Sequence, residues 1–168
     1  MVWSTPRTWV TGEVVTASIM NTHVRDQFDA GFPHGTTWQT YTPTLTATTT
    51  NPTLGSGAVQ SGRYYRIGRL VTVHVQIAFG TSGVAAGSGT YLVSAPINIA
   101  TSLSTVVRMG AGDVFDFSTG ARRPVSVAAG LGSGAFQMVY NSGVVTDAQP
   151  WTWAASDEIW LFAVYEAA

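Results

Sequence analysis

Along Leu70 to Phe79, Val71, Val73, Val75, Ile77 and Phe79 alternate with Thr72, His74 and Gln76. That two-residue period belongs to a half-buried β-strand, because successive side chains of an extended chain point to opposite faces. Further candidate strands follow at Trp38 to Thr48, Gly57 to Ile67, Gly89 to Ala95, Val106 to Phe117, Pro124 to Ala129, Ala135 to Tyr140 and Glu158 to Tyr165, each bounded by Gly, Pro, Asn or Ser. Gly68 and Arg69 leave room only for a tight hairpin between Ile67 and Leu70. About eight short strands with no helix between them predict an antiparallel β-sandwich or jelly roll, since a parallel sheet needs helical crossovers. The triplet Gly-Ser-Gly recurs at Gly55, Gly87 and Gly132 with unequal spacing, which marks turns and not a repeat architecture.

Before Trp38 the period is different. Met20, Val24 and Phe28 recur every four residues, with Arg25, Asp26 and Asp29 between them. Thr16 is placed to act as N-cap, and Gly31 and Pro33 end the pattern. One amphipathic helix is therefore expected over about 17–30. The chain divides into an N-terminal segment, 1–37, and a β domain, 38–168. A lone helix of this length is marginal in water, so its apolar stripe has to dock on something.

Charged residues make up only 10% of the 168 residues, where about 25% is usual. All eight cations are arginines, and nine acids leave a net charge of −1. A chain with so little positive charge is not built for phosphate-driven nucleic-acid binding or for a polybasic membrane contact. The longest apolar run, Ile159 to Tyr165, is far short of the roughly 20 residues of a membrane span, so membrane insertion is not expected. Cysteine is absent, which removes disulfides, thiolate zinc sites and thiol nucleophiles. Neutral polar cover combined with burial against partners would keep such a chain soluble, and a homotrimer formed through the β domain is expected.

Few residues suggest chemistry. His23, His34 and His74 fall on helix, connector and strand, a poor start for a metal triad. Gly110-Ala111-Gly112 lacks the third glycine and the helix of a dinucleotide loop, and no Gly-x-Ser-x-Gly elbow occurs. Asp113 and Asp116 are the one pair that would suit a carbohydrate-processing enzyme, whose two carboxyls lie in one cleft. No catalytic residue, metal or cofactor is expected. Arg63, Arg66 and Arg69 flank Tyr64 and Tyr65; they cannot all share a face, and pairing with carboxylates across subunits is their expected use. Trp151, Trp153 and Trp160 serve either as core or as stacking surfaces. Trp151 and Trp153, beside Asp147, Gln149 and Thr152, offer rings and hydrogen-bonding groups within a few residues, as a sugar-binding site requires.

The run Pro6-Arg7-Thr8-Trp9-Val10-Thr11-Gly12-Glu13-Val14-Val15-Thr16-Ala17, continuing to Asn21 and Val24-Arg25-Asp26, resembles the Trp-x-x-Gly-Glu-x-Val-Thr-Ala leader and Asn-x-x-x-Arg-Asp helix that open small virion structural proteins of tailed bacteriophages. Gly62 to Val73, with Trp153, Asp157-Glu158-Ile159 and Tyr165-Glu166, is similar to the β-rich C-terminal domains of phage tail fibres. The resemblance implies a virion location, an N-terminal segment attached to tail or capsid proteins, and a β domain displayed outward, commonly as a trimer. Trp3, Trp9, Val15, Met20, Val24 and Phe28 would be the docking residues. A minor tail or fibre-type protein with a host-surface glycan as partner is the reading adopted; a capsid decoration or head-fibre protein is the alternative within the same class.

Overall fold

The computed structural model describes residues 5, 7–31, 38–100, 108–129, 134–141 and 143–168. Trp3 and His34, the Phe32 to Thr37 connector, and the first two residues of the expected strand at Val106 lie outside them. The chain is mainly antiparallel β, preceded by a short helix. The helix runs through α1 (Ala17–Met20), a π-helical turn (Asn21–Arg25) and α2 (Asp26–Gly31). Thr16 caps it, its Oγ accepting the Ile19 N–H at 3.3 Å. In a regular α-helix each four-residue step advances about 40° beyond a full turn; the wider π turn counters that drift between Met20 and Phe28.

The strands are β1 (Gln39–Tyr41), β2 (Leu45–Ala47), β3 (Val59–Ile67), β4 (Leu70–Ala78), β5 (Tyr91–Ser94), β6 (Arg108–Asp116), β7 (Ala121–Ala129), β8 (Ala135–Tyr140), β9 (Gly143–Val144) and β10 (Glu158–Glu166). They form one sheet in the order β1-β3-β4-β10-β6-β7-β8-β5-β2, with β9 on β8, curled into a half-barrel. Its two terminal strands, β1 and β2, are consecutive in the chain and only Thr42, Pro43 and Thr44 join them. The expected single strand Trp38 to Thr48 is therefore broken at Pro43, which lacks the N–H a continuous ladder would use. Across this seam the Tyr41 hydroxyl donates to the Ser94 carbonyl at 3.3 Å, the Thr44 N–H donates to Ser94 Oγ at 2.9 Å, and Gln60 donates to the Pro43 carbonyl at 2.9 Å.

The concave face is the core. From β4, Val71, Val73, Val75 and Ile77 point inward, and from β10, Ile159, Leu161, Ala163 and Tyr165. Val114, Val125, Val127, Phe136, Met138, Tyr91 and Val93 join them, with Leu45, Phe79, Val145 and Trp153 among the others. Phe136 of β8 meets Tyr165 of β10 edge-on with ring centroids 5.5 Å apart, although two strands separate them in the sheet. Strong curl requires close backbone approach where β6 meets β10. There a Cβ on Gly112 would collide with the Trp160 carbonyl, so glycine permits the bend.

β7 begins at Ala121, three residues ahead of the expected Pro124. Pro124 fits because β8 pairs β7 only from Ser126 onward, leaving β7 an edge at Pro124 where a missing N–H costs no ladder bond. β9 was not expected from the sequence. Nor was the ribbon of Thr50, Thr53 and Ser56 bridged to Ser88, Ala85 and Ser82, whose three-residue spacing leaves no two-residue alternation to read.

Candidate functional site

Within the described residues 7–31, local contacts shape the chain. Gly12 takes φ 81°, a left-handed turn that glycine adopts without steric cost. The turn lets the Glu13 N–H donate to the Val10 carbonyl at 3.2 Å. It also brings the Glu13 carboxylate onto Arg7, whose guanidinium lies 5.4 Å from the Trp9 ring centroid. The Trp-x-x-Gly-Glu pattern thus encodes a self-contained turn that holds Trp9 out. Of the expected docking residues, Trp9 is 45% exposed, Val15 49%, Met20 44% and Phe28 56%, while Val24 is half-buried. Val10 and Val14 are more exposed still. No residue of α1 or of the π turn is buried.

The segment expected to bind sugar is divided by the structure. Trp153 belongs to the core: it is 3% exposed, stacks on Phe79 with centroids 5.3 Å apart, packs on Tyr91 at 5.5 Å, and donates from Nε1 to the Thr146 carbonyl at 2.9 Å. Its ring is not available to a ligand, which corrects the pairing of Trp151 with Trp153 as one platform. Trp151 is half-buried against Trp153, with centroids 5.9 Å apart. Asp147 accepts the Gly89 N–H at 2.8 Å, and Gln149 accepts the Tyr140 hydroxyl at 2.9 Å. Both polar groups thus tie loops together.

Asp113 and Asp116 do not share a cleft. They stand three apart on β6 and so face opposite sides of the sheet. Asp113 points outward onto Arg122 at 2.9 Å. Asp116 turns into the β6–β7 connection, where it accepts both the hydroxyls and the backbone N–H groups of Ser118 and Thr119. Those bonds hold its carboxyl below the usual range. This pair does not make the two-carboxyl site of a glycosidase. Asp157, fully buried, accepts the Phe117 N–H at 3.0 Å and the Ala154 N–H at 2.9 Å. Burial pushes its carboxyl up, opposed by those same bonds.

The arginine–tyrosine group also divides. Arg69 pairs with Glu166 of its own chain at 3.1 Å, and Arg66 donates to the Gly68 carbonyl at 2.6 Å. Tyr64 packs edge-on against Tyr41 at 6.0 Å. Arg63 and Tyr65 instead lie on the convex face, within a row of rings that crosses three strands. Tyr65 meets Trp38 at 6.3 Å, Trp38 meets His74 at 5.1 Å, and His74 meets Phe162 at 5.0 Å. The Arg63 guanidinium lies 5.2 Å from the Trp38 centroid. Burial, helped by the Arg63 charge, lowers the pKa of His74, so its imidazole is neutral at neutral pH.

Beside this row Ser61, Arg63, His74, Gln76 and Trp160 line a shallow depression of about 290 Å³. Strand register places Ser61 opposite Gln76 and Gln76 opposite Trp160. Trp160 is 43% exposed, and its Nε1 donates to Glu158 at 2.8 Å, which fixes the plane of the ring. The chain thus carries an aromatic surface beside hydrogen-bonding groups, on β3, β4 and β10 and not in the loop at Trp151.

No protein-family model matches the chain, and no curated protein and no solved structure is significantly similar to it.

Proposed function

We propose that this chain is a noncatalytic structural component of a tailed-phage virion, of minor tail or fibre type, with its N-terminal segment docked on the particle and its β domain displayed outward. One observation carries the reading: Trp9, Val14, Val15 and Met20 are exposed while the sheet closes a core of its own. Large apolar side chains grouped on a short ordered segment are what a docking interface needs, because a few such anchors carry most of the binding energy. The resemblance of the same residues to phage leaders agrees. Deleting residues 1–31 tests it: the remaining β domain is expected to stay folded and to be missing from particles. A truncated protein that still incorporates overturns the reading.

Copies of the β domain associate as a homotrimer. Ile67 and Leu70, at the tip of the β3–β4 hairpin, and Phe117, from 39% to 61% exposed, supply apolar surface for it, and the low charge spares such an interface costly desolvation. A native mass equal to one chain at micromolar concentration would contradict this. The half-barrel is read as a sandwich whose layers, β3-β4-β10 and β8-β5-β2, meet across the core; the Phe136–Tyr165 contact supports that reading.

A further inference from the structure

We infer that the convex-face depression lined by Ser61, Arg63, His74, Gln76 and Trp160 is a binding site for a carboxylated saccharide. Trp160 supplies an exposed ring, and its bond to Glu158 holds that ring in one orientation. A ring fixed before the ligand arrives loses little entropy on stacking against the apolar C–H face of a sugar. The side chains of Ser61, Arg63, His74 and Gln76 have no hydrogen-bond partner among the described residues. A hydroxyl, an amide, an imidazole and a guanidinium therefore converge on one concavity with their donors and acceptors open, a set that matches sugar hydroxyls. Its volume is at the lower end for small-molecule sites.

Arg63 decides the charge of the ligand. It is the one cation lining the depression and has no carboxylate partner among the described residues. Asp113, the register partner of Trp160, is paired with Arg122 at 2.9 Å, and Glu158 accepts from the Trp160 indole at 2.8 Å, so neither is paired with Arg63. Contact with Trp38 steadies the Arg63 guanidinium and leaves its N–H edge to bind a carboxylate in the two-point manner that suits a planar fork. β3, which carries Arg63, and β10, which carries Trp160, are two strand spacings apart, about 9.5 Å. The ligand is therefore an oligosaccharide whose acidic residue meets Arg63 while a neighbouring ring lies on Trp160. In its setting the proposal rests on the outward display of the β domain, but the binding is a property of the purified chain.

Calorimetric titration of the full chain with a panel of glucuronate-, galacturonate- and sialate-containing oligosaccharides, each beside a neutral counterpart, tests it. At least one acidic oligosaccharide is expected to bind about tenfold or more tightly than its neutral counterpart, as a charge-assisted bidentate contact would give. Arg63→Gln should remove that preference, so that acidic and neutral oligosaccharides bind it alike. Trp160→Ala should weaken both by about tenfold, and Trp160→Phe, which keeps a ring, should weaken them less. The proposal is overturned if no acidic oligosaccharide binds, if the unsubstituted chain binds acidic and neutral sugars alike, if Arg63→Gln keeps the acidic preference, or if Trp160→Ala keeps full affinity. A change in native mass in the Arg63→Gln chain also overturns it, because the face would then be a subunit interface. Failure of the titration leaves particle incorporation of the full chain untouched, whereas failure of the docking reading leaves the titration untouched, so the two are separable.

Discussion

The N-terminal segment and the β10 strand draw on the same kinds of residue and use them in opposite ways. In β10, Ile159, Leu161, Ala163 and Tyr165 are buried on one side of a curled sheet, in a strand paired with β4 along its whole length and with β6 from Glu158 to Ala163. In the segment before the sheet, Trp9, Val14, Val15 and Met20 stay in solvent although the chain around them is ordered by Gly12, Arg7, Glu13 and the Thr16 cap. Order without burial requires local contacts to supply what packing supplies elsewhere, and it leaves apolar surface available. The buried core of this protein therefore lies in the sheet, and exposed apolar surface in the segment before it.

That contrast breaks first in the core. Phe136→Ala removes a fully buried ring and should cost about 3–5 kcal/mol in denaturant unfolding, whereas Val14→Ala, at an exposed site, should stay within about 0.5 kcal/mol. Equal effects would mean that the segment is part of the folding unit. Gly112→Ala forces a methyl against the Trp160 carbonyl and should cost about 1–3 kcal/mol; a neutral result would show that the curl does not depend on glycine there.

A pH titration sharpens the same distinction. Burial raises the hydroxyl pKa of Tyr41, Tyr91 and Tyr165, that of Tyr165 to about 12. A raised folded-state pKa gives stability that is complete below the unfolded value near 10 and is lost as pH rises through the folded one. With no lysine in the chain, tyrosines are the side chains that ionise in this window. Unfolding should set in above about pH 10 and coincide with the ultraviolet signal of tyrosinate. Ionisation of all six tyrosines near pH 10 without unfolding would contradict the burial. A local effect is expected at Thr16→Ala, which should lower helical content in residues 17–31 by the loss of a cap bond of about 1 kcal/mol and leave the melting of the sheet unchanged.

Several of these features were legible in the sequence. β4 declares itself because its two faces differ in polarity, and the helix because Thr16, the four-residue stripe and Gly31 agree. Ile159 to Tyr165 is uninterpretable by period, since every residue in it is apolar. Nothing there says that Ile159 points in and Trp160 out, and only pairing with β4 and β6 decides it. The same ambiguity left Trp151, Trp153 and Trp160 open between core and stacking surface, and the fold puts Trp153 in the core and leaves the Trp160 ring open. Pro43 hid a change of sheet edge inside what looks like one strand. Arg63, Gln76 and Ser61 come together only through cross-strand register, a long-range fact that no local spacing encodes.

Amide hydrogen exchange of residues 7–31, measured once in the purified chain and once in assembled particles, tests the central claim most directly. Exposed apolar residues on a locally held segment predict fast exchange in the purified chain and strong protection in the particle, with the amides of β4 and β10 protected in both. Equal protection of residues 7–31 in the two samples, whether fast in both or slow in both, would contradict a docking segment.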